Sequence, residues 1–151
     1  MIKKSHLFII ILIFLHHCGY TPIYKGLVNA NFAIVIKEIR GDRDLGNSIK
    51  SNLNRYRITD GKKLFYVSAS SNYLKNSISK DTTGKTTEYQ LKAVTVFKIE
   101  KENIIKEIKI TESFNMKSKN NKFEENEYEL ILKESMANTI VQKLILQLNR
   151  L

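Results

Sequence analysis

Cys18 is the only cysteine in 151 residues, and it closes a segment that opens with Lys3 and Lys4 and continues through the apolar run Leu7 to Leu15. A positive start followed by a short apolar core is the pattern of an export signal. Nine helical residues reach only about 14 Å at roughly 1.5 Å each, less than half of a hydrocarbon layer of roughly 30 Å, so a permanent transmembrane helix is not expected. Two chemistries are open to the thiol. It is an ordinary cysteine, or it becomes the N-terminus after cleavage and carries a diacylglyceryl group on sulfur; its place at the end of the run favours lipid attachment at Cys18. Leu15 suits such a signal. His16 and His17 stand where small residues are usual, and imidazoles there would slow cleavage or leave an uncleaved anchor. A metal cluster of His16, His17 and Cys18 is disfavoured, because three adjacent side chains do not readily converge on one tetrahedral ion.

The chemistry that is missing narrows the function classes. All three histidines, His6, His16 and His17, precede Cys18. Loss of residues 1–17 would therefore leave no imidazole for acid and base work, for a catalytic triad or for a typical zinc site. No G-x-S-x-G, phosphate-cradling G-x-x-x-x-G-K-S/T or G-x-G-x-x-G occurs either. The remaining candidates are carboxylate clusters, Asp42 with Asp44 and Glu124, Glu125, Glu127 with Glu129. Both sit where helices are expected to start, so stabilising helix dipoles is their expected role. A binding or assembly protein is expected, not an enzyme, with no cofactor and no metal.

The formal net charge is +10. Such a balance favours phosphates, acidic headgroups or nucleic acid as partners. An equally good account is that lysine, asparagine and isoleucine are all abundant and that most lysines are simply solvated. With one cysteine no intramolecular disulfide can form, so packing alone must stabilise the fold. Residues 1–17 are read as the signal, 18–31 as a lipidated N-terminus and tether containing the only proline, and 32–151 as one domain.

Within that domain, Phe32 to Ile39 is a β-branched, apolar stretch that predicts a well-buried strand ended by Gly41. Asp42 or Asp44 can cap a helix of about three turns in which Leu45, Ile49, Leu53 and Tyr56 share a face. Ile58 to Gly61 turns the chain. From Leu64 to about Ile78, Phe65, Val67 and Ala69 alternate with Tyr66, Ser68 and Ser70, ending in a polar edge or arm. Asp81 to Lys85 is a hairpin signal. Thr86 to Ile99 and then Ile104, Ile108, Ile110 and Phe114 supply two more strands, with a turn at Lys101 to Asn103. Lys117 to Asn126 reads as a loop. From about Glu124 to Leu151 a long helix gathers Leu130, Ala137, Ile140, Val141, Leu144, Ile145 and Leu148 on one stripe, with Met136 at its border and Tyr128, Leu132 and Leu146 outside. The expected fold is α+β, with a four-stranded, mainly antiparallel sheet, two helices on one face and the order β-α-β-β-β-α.

Three features together make the chain resemble the LptE family of lipopolysaccharide-assembly lipoproteins of Gram-negative outer membranes. They are the opening Cys18-Gly19-Tyr20-x-Pro22-Ile23-Tyr24, the element order across residues 32–151, and Gly84-Lys85-Thr86-Thr87-Glu88-Tyr89-Gln90-Leu91. The resemblance implies a lipid-anchored protein on the periplasmic face of the outer membrane that plugs an LptD-type β-barrel and helps insert lipopolysaccharide. Gly19 fits that address, since the aspartate associated with inner-membrane retention is absent. Lipopolysaccharide carries phosphates, so Lys80 and Lys85 beside the hairpin and Lys122 before the last helix are the expected contacts.

Two other readings stand beside it. A pilotin-like lipoprotein serving another outer-membrane machine would share the anchor and the fold. A basic α-β-β-β-α segment also describes a double-stranded RNA-binding module, which the extra first strand and the export signal oppose, so no nucleic acid is expected as partner.

Overall fold

The computed structural model describes residues 32–57, 63–102 and 104–151. Six elements follow in order: β1 (Phe32–Gly41), α1 (Arg43–Asn54), β2 (Lys63–Lys80), β3 (Thr86–Lys101), β4 (Ile104–Lys117) and α2 (Lys122–Leu148). The strands lie in the sheet order β1-β2-β3-β4. β2, β3 and β4 form an antiparallel meander, and β1 joins β2 in parallel. A parallel neighbour needs a crossover, and α1 supplies it. The α+β class and the order β-α-β-β-β-α are those expected from the sequence.

The crossover begins at a tight corner. Gly41 takes φ +103°, and the Asp42 amide donates to the Ser71 carbonyl at 3.0 Å. Asp42 then caps α1, its Oδ1 accepting from the Leu45 amide at 2.9 Å. Of the two candidate caps, Asp42 is the one used; Asp44 sits in the first turn.

One core lies between the sheet and the helices. Phe65, Val67 and Ala69 of β2 meet Leu91, Ala93, Phe97 and Ile99 of β3, Ile108, Ile110 and Met116 of β4, Leu45, Ile49 and Leu53 of α1, and the C-terminal half of α2. Phe32 packs edge-on against Phe65 at 5.4 Å between ring centres. Two hydroxyls buried within this face, Ser71 and Thr95, satisfy each other at 3.1 Å.

Several expectations are corrected by the packing. β1 is buried only over Phe32, Ala33 and Ile34; Val35 is exposed, because it lies on the uncovered face of an edge strand. Ile104 is exposed and Met116 is buried, so the core side of β4 is displaced toward its C-terminal end. Tyr56 lies beyond the end of α1, and its carbonyl accepts from the Ile34 amide at 2.9 Å. The long helix starts at Lys122, capped by the Asn121 side chain on the Phe123 amide at 2.9 Å, so Lys122 is its first residue and not part of a loop. On α2, Leu130 is 49% exposed while Met136 is fully buried. The polar residues Glu125 and Lys133 occupy the inward line instead. The expected turn at Ile58 to Gly61 and Asn103 lie outside the described residues.

The expected polar arm is an edge. β1 pairs with β2 only as far as Ser71, whereas β3 accompanies β2 to Lys80. The β2–β3 hairpin therefore projects past the first strand.

Candidate functional site

The projecting hairpin carries two of the three lysines singled out in the sequence. Lys80 ends β2, and Lys85 closes the reversal that follows. Asp81 organises this turn: its Oδ1 accepts from the Thr83 hydroxyl at 2.6 Å, the Thr83 amide at 2.9 Å and the Lys85 amide at 3.0 Å. The Thr83 hydroxyl first, and then the Lys85 and Thr83 amides, hold the Asp81 carboxyl below the usual range. Gly84 takes φ +85° at the reversal. The loop geometry thus fixes the Lys85 backbone while its side chain stays in solvent.

The connection from β4 to α2 reaches the same end of the sheet. The Ser118 amide donates to the Thr87 carbonyl at 2.9 Å, and Lys117 pairs with Glu88 in register. Lys117, Lys119 and Lys122 therefore share the basic end with Lys80 and Lys85, and all five are exposed. Lys122 differs from the others in that its ammonium lies 2.6 Å from Glu125 Oε1, so its charge is already spent within the fold. Among the described residues, neither Lys80 nor Lys85 takes part in an ion pair. Lys119 lies over the Tyr128 ring at 5.5 Å. Lys117 and Lys119 are members of the cluster that sequence reasoning did not single out; being two and four residues beyond Asn115 in a polar stretch, they carried no periodic signal.

Beneath the basic end lies a polar network that ties β2 to α2. Glu125, 2% exposed, accepts from Lys75 at 3.0 Å, from the Ser118 hydroxyl at 3.0 Å and from the Lys119 amide at 3.2 Å, besides Lys122. Lys75 also reaches Glu129 at 2.8 Å and sits 4.3 Å above the Tyr89 ring. The Tyr73 hydroxyl donates to Glu129 at 2.8 Å. Hydrogen bonding from Lys122, followed by Lys75, draws the Glu125 carboxyl down to about 2 against the opposing effect of burial. Burial disfavours the charged form of Lys75, yet its bonds to Glu129 and Glu125 outweigh that and leave its pKa raised. Burial, then the bond to Glu129, raises that of Tyr73. Lys133 extends the network to α1, lying 3.2 Å from Asp42 and 3.3 Å from Asp44 and over the Tyr73 ring at 4.2 Å.

This second arrangement is a brace, since every carboxylate in it is occupied by a cation or a hydrogen-bond donor. No cluster of histidine, cysteine or carboxylate suited to a metal ion occurs among the described residues. At this end of the sheet, what remains open to a ligand is the exposed rim of lysines above it.

The fold has solved relatives. Rare lipoprotein B from Shewanella oneidensis superposes with a TM-score of 0.55 at 16% identity, over 77% of this chain and 90% of that one. The fold is shared with lipoproteins. A Caulobacter crescentus chain gives 0.55 at 15% identity over 83% of this chain and 91% of that one, and lipoprotein B from Nitrosomonas europaea gives 0.50 at 12% over 80% and 86%. No family model matches the sequence, and no curated protein matches it significantly. At these identities the likeness is one of architecture, in which the described sheet and helices correspond over nearly the whole of each partner. Cys18, to which a lipid would be attached, lies outside the described residues. No helix among the described residues is long and apolar enough to cross a membrane.

Proposed function

We propose that this protein is an outer-membrane lipoprotein, held at the periplasmic face through Cys18, whose domain plugs an LptD-type β-barrel and assists lipopolysaccharide assembly. The observation that carries the reading is the coincidence of a short export signal ending at a lone cysteine with a domain built like lipoproteins. Several acyl chains at roughly 0.8 kcal/mol per buried methylene supply a stable anchor. A large barrel encloses a polar, water-filled lumen, and a braced two-layer domain is suited to fill it.

The phosphates of lipopolysaccharide meet the free cations of the hairpin end. Lys80 and Lys85 are the principal contacts, with Lys117 and Lys119 beside them, because charge-assisted hydrogen bonds need donors that no internal carboxylate has claimed. Lys122 is committed to Glu125 and contributes little. Purified full-length protein carrying K80E and K85E together is expected to bind lipopolysaccharide at least fivefold more weakly at low salt, whereas Lys122→Gln changes affinity by less than twofold. Unchanged binding by the double variant would remove the hairpin end from the account.

A further inference from the structure

β1 is an edge strand with a helix running beside its open side, and the space between them is a groove of about 690 Å³. That lies within the roughly 300–1,000 Å³ of ligand clefts. One wall is the strand from Ile34 to Gly41. The other is a stripe of α1, Arg43, Asn47, Lys50 and Asn54, recurring at three to four residues and therefore on one helical face, with Arg57 following beyond the helix end. Gly46 forms part of the floor. A Cβ there would stand 3.2 Å from Ile39 Cγ2, so glycine lets the helix approach the strand closely.

The backbone of this edge is largely unclaimed. β1 pairs only with β2, and on its other side the Ile34 amide meets the Tyr56 carbonyl at the closed end of the groove. The extra residue Lys37 between Ile36 and Glu38 bulges the strand midway. An exposed edge beside a helix is the arrangement on which extended peptides add as a further strand, with backbone bonds supplying affinity and flanking side chains supplying selectivity.

Charge decides the occupant. Five cationic and two anionic side chains line the groove. Glu38 is held by Arg40, Asp42 by Lys133, and Lys37 by Glu100. No carboxylate among the described residues pairs with Arg43, Lys50 or Arg57, and all three are exposed. A second copy of this edge would bring the same sign, and the only charge in residues 18–31 is Lys25, so neither fits. The opposite edge, β4, alternates Lys106, Glu107, Lys109 and Glu112 and offers no single sign.

We propose that the groove between β1 and α1 binds an acidic, extended segment of another polypeptide as a fifth strand, its carboxylates facing Arg43, Lys50 and Arg57. The proposal stands apart from the basic hairpin end and from lipopolysaccharide. Its test uses the full-length protein in detergent and a fluorescent peptide, Thr-Glu-Val-Glu-Val-Glu-Thr, whose glutamates share one face. Three comparisons accompany it: a fully N-methylated peptide of the same charge, a peptide with lysine for glutamate, and the R43E/K50E protein. Saturable binding is expected, weakened at least tenfold in each comparison, with amide exchange slowed at Ile36 and Ile39. Absence of binding, equal binding of the N-methylated peptide, unchanged affinity of R43E/K50E, or protection on β4 instead of β1 would each overturn it.

Discussion

Replacing Gly41 by alanine is expected to destabilise the protein by about 4 kcal/mol or more, or to prevent folding, and urea denaturation against the parent measures it. Its φ of +103° belongs to a region that side chains rarely enter, which alone costs of order 1–3 kcal/mol. The larger effect is contact. A Cβ at this position would lie 1.8 Å from the Ser71 carbonyl oxygen and 2.7 Å from its carbon, and both are backbone atoms of the paired strand. To relieve that overlap β1 must move away from β2, which breaks the Asp42 to Ser71 bond and shifts the residue that caps α1 and receives Lys133. Loss of a cap is worth about 1 kcal/mol by itself. Gly84 provides the comparison: its φ is +85°, but nothing lies within 4 Å of an added Cβ. G84A should therefore show only the conformational strain, of order 1–3 kcal/mol. If the two variants were equally stable, the tight corner between strand and helix would not be what holds the crossover.

Glu125→Gln is expected to lower stability by about 2–3 kcal/mol at neutral pH. With its carboxyl drawn from an ordinary 4.5 to about 2, the group binds its proton more weakly in the folded chain than in the unfolded one. A depressed acid of this kind contributes stability above the ordinary value, and that contribution is lost as pH falls from about 4.5 toward 2; the shift corresponds to ~3 kcal/mol. The glutamine keeps a hydrogen-bond acceptor but leaves Lys75 with Glu129 as its single ionic partner, which is why the loss is less than that of an isolated buried charge. Urea midpoints measured between pH 7 and pH 2 should start apart and converge at acid. A constant separation across that range would mean that the glutamate acts by shape and not by charge.

The inward residues of the first helix and of the meander were legible because one physical demand acted on them. Leu45, Ile49 and Leu53 at helical spacing, and Phe65, Val67 and Ala69 at alternate positions, are apolar where a single core needs them. The N-terminal half of α2 answers to a different demand. Leu130 and Lys133 compete for the inward line, and apolarity favours Leu130; the structure turns Lys133 inward because Asp42, Asp44 and the Tyr73 ring wait for it there. Partners 89 and 91 residues away in sequence leave no local trace. The start of that helix was legible in principle from Asn121, a good cap, but it lay hidden in a run of asparagine and lysine that reads as loop. Of the candidate site, Lys80 and Lys85 could be placed from the Asp81 to Lys85 turn, whereas the commitment of Lys122 to Glu125 depends on where the helix begins.

The proposed role rests on which membrane protein, if any, captures this domain. Affinity capture of the tagged full-length protein from detergent-solubilised outer membranes, with co-purifying chains identified by mass spectrometry, addresses this directly. Recovery of a large LptD-type β-barrel in near-equal amount, lost when the domain is truncated, is the predicted result. Recovery of a secretin in its place, as for a pilotin, would contradict it.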